Sequence, residues 1–291
     1  MKAMRAFKLG IITDEVSQDL DEVMAFARKY RLDTIEIRSI FDKPAHTLTD
    51  AEIERIRERT SAEGIHVCAL SAPIFKCDLD NAEELAQQYA IAERCIEVAG
   101  KLGATMIRGF SFWAKKPFEE AEPAIVEQLR KMAQLLEANG LLLMLEFDPS
   151  VYASNARKTR RLIDQVNAPN LRALYDPGND LWDPDQEKPF PDGYEYLKGT
   201  IAHIHLKDAV RTAEGPEGVA IGRGEVDYEG LFQRLRDDGY DGYLIVETHY
   251  RLTSKLTEEQ LKRPSGSSFS IGGKEASEEC MESLLAMNYF R

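Results

Sequence analysis

Short apolar runs with β character alternate with longer amphipathic stretches along this whole chain, and the alternation counts to eight. The runs fall at 8–12, 34–38, 65–70, 104–108, 141–147, 171–175, 201–207 and 242–247. Periodicity close to 3.6 marks helices at about 19–30, 49–63, 81–102, 119–138, 154–166, 192–199, 227–238 and 274–289. The second helical stretch shows how explicit the signal is. Ile53 and Ile56 set an apolar face against Arg55 and Arg59, Thr49 offers an N-cap with Glu52 three residues on, and Gly64 supplies the stop. Strands alternating with helices build a parallel sheet, and eight such units close the sheet on itself. The expected fold is α/β, a single (β/α)8 barrel spanning 1–291 as one domain. An open doubly wound sheet is the runner-up. It fits the strand count less well, and the first βα turn, IITDEVSQ, has no GxGxxG.

A parallel barrel opens the C-terminal ends of all its strands onto one face, where residues far apart in sequence converge. Four successive runs end on a metal-type donor there. LLLMLEF (141–147) brings Glu146, LRALYD (171–176) brings Asp176, IAHIHLKD (201–208) brings His205, and GYLIVETH (242–249) brings Glu247. Singly, each has a plain explanation. A glutamate at a strand end pairs with a neighbouring Arg or Lys, an aspartate before Pro-Gly-Asn starts a turn, and a lone histidine packs in a core. The set of four at matching positions points instead to a site for a hard divalent cation.

Side chains along a strand repeat with period two, so His203, His205 and Lys207 share one face. Lys207 is then a candidate for holding a substrate oxygen, with a salt bridge to Asp208 or to a ligand carboxylate as the alternative. His203 reads as structural or as a supporting donor to the ligand shell. Arg108 and Glu36 also sit near strand ends. Either contacts substrate, or Arg108 pairs with a carboxylate and Glu36 with Arg38. His46, His66 and His249 follow no usable pattern.

The remaining bounds are broad. A net charge of −13 argues against nucleic acid and against anionic membranes as partners. No apolar run approaches the ~20 residues that span a bilayer, and MKAMRAFKLG lacks the apolar stretch of a secretory signal. Cys68, Cys77, Cys95 and Cys280 form no CxxC pair, and Cys68 and Cys95, which lie in apolar stretches, read as small core residues in a reducing cytoplasm. Two long connections, 208–226 and 248–273, follow donor-bearing strands and hang over the same face. The second, with its RPSGSSFSIGG, is expected either to close over the site or to reach a neighbouring subunit.

In their order, LEFDP (145–149), YDPGN (175–179), HIHLKD (203–208), GRGEVDYEGLF (222–232) and GYDGYLIVETH (239–249) resemble the xylose isomerase-like TIM-barrel superfamily of sugar and sugar-phosphate isomerases and epimerases. The similarity covers nearly the whole chain. It implies one divalent metal on Glu146, Asp176, His205 and Glu247, Mn2+ first, with Mg2+, Co2+ or Zn2+ as alternatives. It also implies that Glu146 and Glu247 are the acid–base pair. The reaction implied is isomerisation or epimerisation of a sugar, sugar phosphate or related polyhydroxy keto compound through a metal-bound enediolate. Lys207, Arg108, Arg223 and Asn179 are the expected substrate contacts. The position of Asn179 is often a substrate-touching histidine in the ketose epimerases. Expulsion of a β-hydroxyl from the same enediolate would make the chain a dehydratase of a keto-sugar or keto-inositol. An endonuclease IV-like nuclease is a remote third reading, since that family uses several zinc ions and many histidines and this chain has five. A non-catalytic sugar-binding protein is a fourth, set against the retention of all four ligand types. The expected partner is a small carbohydrate, and the oligomeric state stays open, a homo-oligomer included.

Overall fold

The computed structural model describes residues 7–290. Eight strands form its centre: β1 (Lys8–Ile12), β2 (Thr34–Ile37), β3 (His66–Ile74), β4 (Met106–Gly109), β5 (Leu142–Glu146), β6 (Leu171–Tyr175), β7 (Ile201–Leu206) and β8 (Tyr243–Val246). Each pairs in parallel with its neighbour in sequence, and β8 pairs with β1 to close the ring. The chain is a single (β/α)8 barrel. Closure is tight where β1 meets its neighbours: a Cβ on Gly10 would lie 2.5 Å from the Thr34 methyl and 2.7 Å from the Ile245 methyl. Only glycine permits that approach.

The pleat sorts the core into two layers. In β5, Leu143 and Leu145 pack outward among the large cluster shared with the helices, while Met144 faces inward. Ile12, Cys68, Met106, Met144, Leu174 and Ile245 fill the barrel with a separate apolar plug. Two residues beyond Met144 and Leu174 on the same face come Glu146 and Asp176, so the apolar plug is the floor of a polar mouth. The expected helices are present, among them Leu20–Tyr30, Asp50–Glu63, Ala82–Leu102, Phe118–Glu137, Ala156–Val166, Tyr228–Asp237 and Gly273–Ala286. Thr49 and Glu52 form the expected capping box, and Gly64 ends that helix at φ 65°. The helix expected at 192–199 shrinks to Tyr194–Leu197, because Pro189 and Pro191 hold the preceding chain in an irregular turn.

Structure also occurs where loops were expected. A helical turn, Thr13–Val16, follows β1 directly. The connection 208–226 opens with a hairpin, Asp208–Thr212 paired with Gly215–Val219. The segment 248–273 contains the short helices Glu258–Lys262 and Gly266–Ser270 and folds back onto its own barrel mouth. Its Phe269 is fully buried between the Arg38 and Arg251 guanidiniums, at 4.8 and 4.7 Å from the ring centre. Ser267 N donates to Asp42 at 2.7 Å and Ser270 Oγ to the Asp14 carbonyl at 2.8 Å, which fastens the segment to the loops after β1 and β2. Among the described residues no helix is long and apolar enough to cross a membrane.

Candidate metal and substrate site

The last strands deliver the four expected donors to one point. Glu146 ends β5, Asp176 follows β6, His205 lies near the end of β7 and Glu247 follows β8. One ligand atom from each lies within 4.8 Å of the others, and all four residues are buried. Donors at roughly 2.0–2.4 Å from a shared ion sit about 3–4.8 Å apart, so the spacing suits one cation. His205 Nδ1 is 3.4 Å from Glu146 Oε1 and 3.5 Å from Glu247 Oε2, yet has no hydrogen-bond partner. Asp176 Oδ2 accepts no aligned hydrogen bond either, although Lys207 Nζ is 2.7 Å away as an ion pair. Buried donors left open toward a common centre are costly unless something takes up their lone pairs. The residues fit a divalent cation.

Each donor is held from behind. Arg108 Nη1 reaches Glu146 Oε2 at 3.0 Å, and Arg38 Nη1 reaches Glu247 Oε1 at 2.6 Å. Lys207 Nζ sits between Asp176 and Glu247, 3.0 Å from Glu247 Oε2. Glu36 Oε2 takes His203 Nε2 at 2.6 Å and its Oε1 takes His205 Nε2 at 3.2 Å. Ser71 Oγ donates to the same carboxylate. Glu36 therefore pairs with the two histidines and not with Arg38, which instead serves Asp14, Glu15 and Glu247. Lys207 takes the ligand carboxylates and not Asp208.

Burial and charge pull the carboxyls apart. Burial, only partly offset by Lys207, pushes Asp176 up to about 7. Burial opposes ionisation of Glu247 as well, but Lys207, His249 and His205 outweigh it and hold that carboxyl well below the usual range. For Glu146 burial is outweighed by Arg108 and His205, and the shift is again downward. Burial disfavours a charged His205, yet Glu36, Glu146 and Glu247 raise its proton affinity well above the ordinary value. A cation among the same carboxylates would compete with that proton.

A cavity of about 540 Å³ opens above the donors. Arg108, Lys207 and Asn179, the expected substrate contacts, are among its lining residues, and Asn179 is oriented by the hydrogen bond that its side-chain amide donates to the Phe147 carbonyl at 2.8 Å. Arg223 does not reach it. Its side chain is 61% exposed and pairs with Glu279, because the GRG turn that carries it faces the C-terminal helix. His249 does line the cavity, held through Nδ1 by Glu15 at 2.8 Å. Two signals for this cluster were present in the sequence. β1 also runs straight into acids, Asp14 and Glu15, and His249 stands two residues past Glu247. Lys76, Trp182 and the 258–264 segment complete the wall.

A family profile described as xylose isomerase-like TIM barrel matches residues 24–266. Among curated relatives, the inosose dehydratase of Clostridium perfringens is 26% identical over 148 residues, 44% of this chain and 48% of that protein. The L-ribulose-5-phosphate 3-epimerase UlaE of Escherichia coli is 25% identical over 166 residues, 56% of each chain. The matched stretches thus span about half the length of these relatives. The crystal structure of D-psicose 3-epimerase with D-tagatose, from Clostridium cellulolyticum, superposes with a TM-score of 0.76 at 18% identity, covering 98% of this chain and 99% of that one.

Proposed function

The chain belongs to the xylose isomerase-like TIM-barrel family, and on that premise we propose that it is a divalent-metal-dependent isomerase or epimerase of a sugar or related polyhydroxy keto compound. The observation that carries this reading is the convergence of Glu146, Asp176, His205 and Glu247, with His205 Nδ1 left open toward the carboxylates. A divalent cation, Mn2+ by preference, supplies there the Lewis acidity that stabilises an enediolate. The protein's own groups do the rest. Glu146 and Glu247 stand on β5 and on the turn after β8, both ionised and each fixed by an arginine. One removes the proton α to the carbonyl and becomes a carboxylic acid. Return of that proton to the neighbouring carbon gives isomerisation, whereas epimerisation requires the other glutamate first to take up a proton from water, which it then delivers to the opposite face. Lys207, Arg108 and Asn179 bind substrate oxygens. The 258–264 segment shields the reacting carbons from water. A cytoplasmic location belongs to the same proposal and is supported by four free, buried cysteines.

The match to an inosose dehydratase favours one second reading, in which the same enediolate expels a β-hydroxyl. A metal-supplemented screen of sugars, sugar phosphates and inositol derivatives in D2O, read by NMR, tests both. Deuterium at a carbon α to the carbonyl in recovered substrate or isomer supports the isomerase. Loss of water to a deoxy-keto product moves the chain to the lyases. Bound metal without exchange into any substrate refutes the proposed reaction.

A further inference from the structure

This inference rests on the reading above and concerns what the substrate carries. The positive groups of the inner wall are already held by the chain's own acceptors. Arg108 bonds Glu146 at 3.0 Å and the Ser71 carbonyl at 3.1 Å. Lys207 lies 2.7 Å from Asp176 and 3.0 Å from Glu247. Lys76 Nζ bonds Asp148 at 2.9 Å and the Lys262 carbonyl at 3.1 Å. A phosphate dianion would have to draw one of these cations away from a buried carboxylate and leave that carboxylate unpaired. Lys262 itself is 54% exposed and lies 3.9 Å from Glu258.

The usual backbone source of phosphate affinity in a barrel is the loop pair after strands seven and eight. Here the glycine-rich amides after β7 are filled from within. Gly222 N and Gly224 N each donate to Asp208 Oδ2 at 2.9 Å, while Ala209 N and Val226 N donate to Oδ1 at 2.9 and 3.2 Å. The seat is close-fitting, since a Cβ on Gly224 would lie 2.1 Å from Asp208 Oδ1. The next helix start is capped as well, by Asp227 on Gly230 N at 2.9 Å.

The cavity wall also carries apolar side chains, Trp182, Leu261, Pro149 and Pro264. Trp182 is half-buried and packs in part against the hydrophobic core while also lining the cavity. A cavity of about 540 Å³ lies within the roughly 300–1,000 Å³ that accommodates drug-sized ligands. That leaves space beyond the sugar atoms that reach Glu146 and Glu247. We infer that the substrate is an unphosphorylated glycoside, its keto-sugar ring turned to the four donors and its aglycone resting on Trp182 and Leu261. Because the glycosidic bond occupies the anomeric carbon, the reacting carbonyl lies elsewhere in the ring.

The test uses the full metal-loaded chain and one series built on an aldohexose oxidised to a ketone at a ring carbon, so that the carbonyl stays free when the anomeric carbon is substituted: the parent sugar, its phosphate, and its methyl and phenyl glycosides. Calorimetry and ligand-induced melting shifts report binding whether or not turnover follows. The phenyl glycoside is expected to bind at least about ten-fold more tightly than the parent, the phosphate no more tightly, and Trp182→Ala to erase the glycoside's advantage. A phosphate that binds more tightly than its parent, or a phenyl glycoside that does not, overturns the inference. Exchange in D2O separates the two claims. Tight glycoside binding with no exchange refutes the isomerase reading and leaves this one standing, whereas exchange confined to a tightly bound phosphate does the reverse.

Discussion

Glu36 Oε1 lies 3.2 Å from His205 Nε2, with both side chains fully buried. A carboxylate in that position makes Nε2 the protonated nitrogen and presents Nδ1 to Glu146, Asp176 and Glu247. His203, 2.6 Å from the other Glu36 oxygen, holds the carboxylate in place. Ligand histidines held in this way typically lose about 10–100-fold in metal affinity when the outer partner is removed. Glu36→Gln keeps the shape and removes the charge, so metal affinity measured by chelator competition is expected to fall by about ten-fold or more. Unchanged affinity would make Glu36 a purely structural residue.

Glu247→Gln should lower kcat by about 10²–10⁴-fold, the usual weight of a positioned acid–base group. Arg38 retains Asp14 and Glu15 after the change, but the amide oxygen can accept from only one of Arg38 and Lys207, so the melting temperature is expected to fall while the fold is kept. Near-normal turnover in the variant would remove Glu247 from the chemistry.

Most of this site was legible because each donor ends a strand whose apolar alternation fixes both the fold and the direction of the side chain. Glu146 follows Met144 by one period, and Asp176 follows Leu174 in the same way. What escaped the sequence were contacts between residues that no local period relates. Arg38 meets Glu247 across 209 positions, and Phe269 stacks between two arginines from distant loops. Arg223 failed for the complementary reason. Its motif places the turn, but the side chain's direction depends on the C-terminal helix that supplies Glu279. Arg223→Ala is accordingly expected to leave kcat/KM within about two-fold, which steady-state kinetics will check.

Asp148 sets an acid limit on stability. Burial opposes its ionisation, but Lys76 and Ser150 prevail and hold the carboxyl at about 2, against 3.8 for a free aspartate. Its folded value is depressed, so its contribution is fully present above pH 3.8 and is lost as pH falls through about 2. The difference amounts to about 2 kcal/mol at most. Asp148→Asn should therefore lower stability at neutral pH and flatten the decline between pH 5 and 2, as urea unfolding at several pH values will show. Parallel pH curves for the two proteins would contradict this assignment.

Gly178 joins the fold to the chemistry. A Cβ there would lie 2.5 Å from the Lys207 carbonyl oxygen and 2.9 Å from its carbonyl carbon, both backbone atoms that cannot swing aside. The same peptide is held on its other side by Tyr228, whose hydroxyl donates to the Lys207 carbonyl at 2.7 Å. Gly178→Ala must therefore push the end of β7 away from the turn that carries Asp176, and with it the Lys207–Asp176 pair. Overpacking of this kind costs about 1–3 kcal/mol. A displacement of the catalytic geometry by 1 Å can cost about 10²-fold in rate. Thermal melting and kcat measured together are expected to show both effects. A variant with wild-type kcat and a lowered melting temperature would show that Lys207 can move without loss, which would remove it from the substrate contacts.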